Sequence, residues 1–93
     1  MAYNQVNLTV GTLPTALVVL PNGVGTRQVT IQNRDAASIY VGNSSVVTAA
    51  GANGGQVVAT LGLLQVWLSG NDTIYAVSAA GTAVGSVVVT YSA

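Results

Sequence analysis

The chain has 93 residues and four charged side chains, Arg27, Arg34, Asp35 and Asp72, with no Lys, Glu, His or Cys. Charged residues make up 4% of it and the formal net charge is zero, against about 25% charged in an ordinary soluble domain. Most site chemistry is thereby excluded.

A protein-only transition-metal site draws on His, Cys, Asp and Glu, and Asp35 and Asp72 alone do not supply one. No disulfide can form and no cofactor is expected. A Ser–His–Asp arrangement needs His and a Ser–Lys dyad needs Lys. Paired-carboxylate catalysis would have to bring Asp35 and Asp72 together, and both lie in turn-like sequence. An enzyme is therefore not expected. Arg27 and Arg34 are too few to neutralise a phosphate backbone, so nucleic acid is not expected as a partner. The longest apolar run, 16–20, is followed by Pro21, far short of the about 20 residues of a spanning helix. Met1-Ala2-Tyr3-Asn4-Gln5 has no basic segment, so no secretory leader is expected in the chain as written. The length fits a single domain over residues 1–93 with roughly 5,000 Å² of surface. So few charges protect a free monomer poorly against association.

Valine is the commonest residue, with 17 copies, followed by Ala with 13, Gly with 11 and Thr with 10. This is strand material separated by turn formers, and no stretch has helical periodicity without a Gly interrupting it. The alternation of Val6, Leu8 and Val10 with polar neighbours predicts a strand over 5–10. The continuous run 16–20 predicts a strand buried on both faces. Pro21-Asn22-Gly23-Val24-Gly25 reads as a turn. Val29 and Ile31 alternate with Gln28, Thr30 and Gln32 in a strand over Arg27–Asn33. Strands are expected over 38–41, 46–49, 56–61, Leu63–Leu68, Thr73–Ser78 and 86–92. Eight or nine short strands with frequent turns predict an all-β fold, a compact two-sheet β-sandwich or a jelly-roll-like small barrel.

The segment from Val47 to Thr60 is similar to that from Val77 to Thr90, with eight of fourteen positions identical. This is either shared composition or two similar strand–loop–strand units. If alternation holds over Leu63–Leu68, Trp67 lies opposite the Leu64, Val66 and Leu68 row. It is then either core on a second face or an interface anchor. Arg34 and Asp35 form either a solvated turn or a salt bridge to a neighbouring subunit. Asp72 is expected to cap its turn, and Arg27 to guard a strand edge. The run Val87-Val88-Val89-Thr90-Tyr91 has high β propensity and no charge, so it must sit centrally or pair with another chain. The candidate interface residues are thus Trp67, Arg27, Arg34, Asp35, Asp72, Val87, Val89 and Tyr91.

Val29-Thr30-Ile31-Gln32-Asn33, then Ile39-Tyr40-Val41-Gly42, Val46-Val47-Thr48 with Gly51 and Gly55, and Asp72-Thr73-Ile74-Tyr75-Ala76-Val77 resemble small β-sandwich virion proteins of tailed bacteriophages. The resemblance covers about residues 27–78. It implies a capsid decoration (cement) protein or another head or tail component, made in the host cytoplasm and carried on the capsid surface of the virion. The partners it implies are the major capsid protein and further copies of the chain, a trimer being the expected homo-oligomer. The other reading is a tail or fibre module that recognises a host surface glycan through Trp67, the Tyr side chains and the Asn-rich loops.

Overall fold

The computed structural model describes residues 3–19, 25–70 and 72–92. Leu20, the turn expected from Pro21, and Asn71 lie at least partly outside those bounds. Among the described residues eight strands form, in chain order β1 (Tyr3–Leu8), β2 (Thr15–Val19), β3 (Arg27–Asn33), β4 (Ile39–Gly42), β5 (Gln56–Val58), β6 (Leu63–Leu68), β7 (Thr73–Ser78) and β8 (Val87–Ser92). No helix occurs among the described residues. Two four-stranded antiparallel sheets result, of order β1-β8-β3-β6 and β2-β7-β4-β5.

Within these sheets β1 pairs with β8, β2 with β7, β3 with β6 and β4 with β5. That is one long hairpin, folded at the β4–β5 connection and rolled up so that β8 meets β3 and β7 meets β4. The architecture is a β-sandwich with jelly-roll strand order.

The core follows from the period of two along each strand. Val29 and Ile31 of β3, Ile39 and Val41 of β4, Ile74 and Ala76 of β7, and Val87 and Val89 of β8 all turn inward and are buried. Leu64, Val66 and Leu68 close the β6 side and are only partly covered. The uncharged C-terminal run is β8, which lies between β1 and β3. Its edge hazard is removed inside the chain, so it gives no separate reason to expect a partner.

The strand expected over 5–10 forms at Tyr3–Leu8 and leaves the buried Val10 beyond its end, and three further segments differ from the sequence reading. The described part of the 16–20 run, residues 16–19, lies in the edge strand β2 rather than in a strand buried on both faces. A register shift between Ala16 and Val18 leaves Leu17 as an extra residue, so Leu17 and Val18 both turn inward while Ala16 stays exposed. A bulge produces this pairing of consecutive inward residues.

Residues 46–49 form no strand. The 43–55 connection doubles back on itself through a Thr48–Gly54 bridge, with Thr48 N–H donating to Asn53 O and Gly55 N–H to Thr48 O. Its Val47 is buried against Gly42 and Gly55.

The strand expected over 56–61 stops at Val58. Leu61 takes a left-handed conformation (φ 62°) in the turn that leads into β6. The two similar segments are consequently not equivalent units. Val47 lies in a loop and Val77 in β7, and what they share is a positive-φ glycine after the Ala-Ala pair, at Gly51 and Gly81.

Candidate functional site

The four charges sit at strand ends and turns. Arg27 opens β3 opposite Leu68 and is half-buried. Arg34 is exposed, and its backbone N–H donates to Ser86 O. Asp35 is neither a merely solvated turn residue nor placed to wait for a neighbour. Its Oδ1 accepts from Ala83 N–H (3.0 Å) and the Ser86 hydroxyl (3.3 Å), and its Oδ2 accepts from Ala37 N–H (3.0 Å). One carboxylate thus ties the β3–β4 turn to the β7–β8 connection. The Ala83 and Ala37 N–H groups hold its pKa below the ordinary 3.8 against the opposing effect of desolvation, and the Ser86 hydroxyl adds to the lowering.

Asp72 closes the β6–β7 turn as expected, with Oδ2 accepting from Ser69 N–H at 2.8 Å. Asp35 follows β3, whereas Asp72 lies beyond Leu68, which pairs with the first residue of β3. The length of a seven-residue strand therefore separates the two carboxylates, roughly 20 Å at about 3.3 Å per residue. They do not form a carboxylate pair.

Asn33 is a fully buried hub that the sequence reading did not single out. Its Nδ2 donates to Ala37 O (2.7 Å) and Val58 O (3.0 Å), and its Oδ1 accepts from Asp35 N–H (3.0 Å). Strand parity was the available signal, because Asn33 continues the inward row of Val29 and Ile31. Val87 and Val89, expected as interface candidates, have no exposed surface and belong to the chain's own core. Tyr91 is half-buried and packs against that core.

The two outer faces differ. On the β1-β8-β3-β6 sheet the cross-strand rows are Gln5–Thr90–Thr30–Gln65 and Asn7–Val88–Gln32–Leu63. This face consists mainly of amides and hydroxyls and carries no charge. Trp67, opposite Gln28 on the same face, is 68% exposed, so it is not core. On the β2-β7-β4-β5 sheet, Val57, Tyr40 and Val77 form one outward row. The doubled-back 43–55 loop covers Val77, and beside it an open groove of about 450 Å³ is lined by Leu13, Pro14, Val46, Val47 and Val77. Leu13 and Val46 are 77% and 56% exposed. A polar cleft of about 620 Å³ lies between Asn43, Ser44, Asp72 and Tyr75. A third opening, of about 300 Å³, separates β6 from the opposite sheet and is lined by Leu64, Val66, Leu68, Val41, Gln56 and Ile74.

Among the described residues no three His, Cys, Asp or Glu side chains come together as metal ligands. Among the described residues no helix is long and apolar enough to cross a membrane. Compared with protein families, curated proteins and solved structures, the chain matches none.

Proposed function

We propose that this chain is a non-enzymatic structural protein of a tailed-phage virion, a capsid decoration protein that docks on the major capsid protein as a homo-oligomer. One observation carries the reading: the apolar, uncharged groove on the outer face of the β2-β7-β4-β5 sheet, with Leu13 and Val46 standing open at its rim. Buried at a seam between capsid subunits, that face gains the hydrophobic term without desolvating a charge. A stable contact of this kind covers about 1,600 Å² and rests on a few anchors. Jelly rolls are used in both capsid and lectin domains, so the groove chemistry and not the fold favours decoration.

Particles lacking the protein are incubated with purified chain and sedimented. The chain is expected to co-sediment at saturable copy number. Leu13→Asp combined with Val46→Asp should weaken attachment at least tenfold while the free protein stays folded by circular dichroism. No co-sedimentation, or an unaffected double variant, overturns the reading. Retention on a glycan array that is lost with Trp67→Ala would replace it with the adhesion module.

A further inference from the structure

We infer that β6 is a self-pairing edge, through which two copies of the chain join their β1-β8-β3-β6 sheets across a two-fold axis into one eight-stranded sheet. This gives the homo-oligomer of the proposed function its contact; it rests on that reading for its role, but its test needs no particle.

The sandwich has four edge strands, β1, β6, β2 and β5. Unpaired edges invite pairing with other chains, and proteins blunt them with bulges, short strands, Pro or polar and charged side chains. β2 has its bulge at Leu17 and Pro14 just before it. β5 has three residues. β1 carries Gln5 and Asn7 on its outward side, hydrogen-bonded to each other at 3.2 Å. β6 is neither bulged, shortened nor broken by Pro, and Gln65 is the one polar side chain on its outward side. Its six residues, Leu63-Leu64-Gln65-Val66-Trp67-Leu68, contain no charge, no Pro and no bulge.

Backbone parity identifies the free groups. Asn33 donates its N–H to Gly62 O and accepts Leu61 N–H at its carbonyl, so the odd-numbered residues of β3 point their backbone groups at β6. Along an antiparallel ladder this alternates. Leu64, Val66 and Leu68, opposite Ile31, Val29 and Arg27, are therefore bonded to β3. The N–H and C=O groups of Leu63, Gln65 and Trp67 face outward from the sheet edge.

A two-fold axis through Gln65 matches these groups to themselves. Gln65 then faces Gln65 of the second copy, and Leu63 faces the second copy's Trp67, so the outward N–H and C=O groups of all three residues are used. Leu63 and Trp67, exposed at 63% and 68%, become two aromatic–aliphatic cross-strand pairs, a favourable combination. On the inner side Leu64 meets Val66, and the second strand closes the 300 Å³ opening beside β6. The contact is isologous and closes as a dimer. A trimer built by strand addition would instead join β6 to β1 of the next copy and set Trp67 and Leu63 against Gln5 and Asn7. The two-fold pairing therefore takes the place of the expected trimer.

The test is light scattering on the purified full chain across concentration, with Gln65→Lys and Gln65→Glu variants. Gln65 is exposed and bonds only weakly to Gln28 (3.5 Å), so both variants should keep wild-type circular dichroism. The wild type is expected at twice 9.3 kDa. Each variant alone is expected as monomer, because like charges meet on the axis, and an equimolar mixture should return to dimer. As a second readout, Gln65→Cys in this cysteine-free chain should oxidise to a covalent dimer, while Gln5→Cys on the β1 edge should not. A wild-type monomer or trimer, a dimer untouched by Gln65→Lys, or a mixture that stays monomeric overturns the inference. A monomer that still binds particles would sink this pairing alone, and a Gln65-dependent dimer that ignores particles would sink the decoration reading alone.

Discussion

At the scale of single residues, the polar groups that hold the loops together matter more here than the charges do. Asn33 satisfies two carbonyls and one N–H from its buried position. Removing a partner from a buried polar group costs about 1–3 kcal/mol for each group left unsatisfied. Asn33→Ala should therefore lose about 2–4 kcal/mol in urea unfolding, and Asn33→Asp should do worse because it turns a carboxylate toward the same carbonyls. Asp35 predicts a pH effect. Its folded pKa lies below 3.8, so its contribution to stability is complete well above 3.8 and is lost as pH falls through the folded value. Thermal melts of the wild type should show that loss in acid, and an Asp35→Ala variant should lack that component of the pH dependence. Gly55 shows a third kind of constraint. A Cβ there would stand 2.8 Å from Val41 N and 2.9 Å from the Tyr40 carbonyl carbon. Gly55→Ala should cost about 1–3 kcal/mol through overpacking.

At the scale of elements, alternation was the signal that carried most. β3, β6 and β7 have the bounds their apolar–polar pattern predicts, because each has one face toward the core and ends at a turn former. The misread strands each have a local cause. The inward pair Leu17–Val18 needs a bulge, which a continuous apolar run does not reveal. Val46–Val47 has strand composition, but the adjoining Thr48 bonds back to Asn53 and Gly55 within the same connection, so the segment folds as a loop. The candidate surface was legible only in part. Trp67 stood out by residue type, whereas Leu13 and Val46 gain their meaning from a groove assembled from three distant segments. Val87 and Val89 were drawn into the interface set by composition, and their central position puts them in the core. Val89→Ala should accordingly cost about 2 kcal/mol or more through cavity formation and leave the oligomeric state unchanged. Val88→Ala, on the outward row, should cost less.

At the scale of the whole molecule, four charges over 5060 Å² of surface set how it meets partners. Coulombic terms between exposed groups are screened by salt, and apolar burial is not weakened in the same way. Attachment to particles should therefore persist when ionic strength rises from about 0.1 to 1 M, measured by co-sedimentation; release at moderate salt would contradict an apolar seam. The roll topology also bears on how the chain comes to be folded. β8 is last in chain order, yet β1 and β3 are joined only through it. During synthesis at about 5–20 residues per second, the first strand emerges and waits until β8 has left the ribosome before its sheet can form. For those seconds the nascent chain exposes valine-rich segments with almost no charge to keep them apart. Assembly of the sheet thus waits for β8, and a chaperone that holds the chain until then should raise soluble yield more than one that acts on a folded domain.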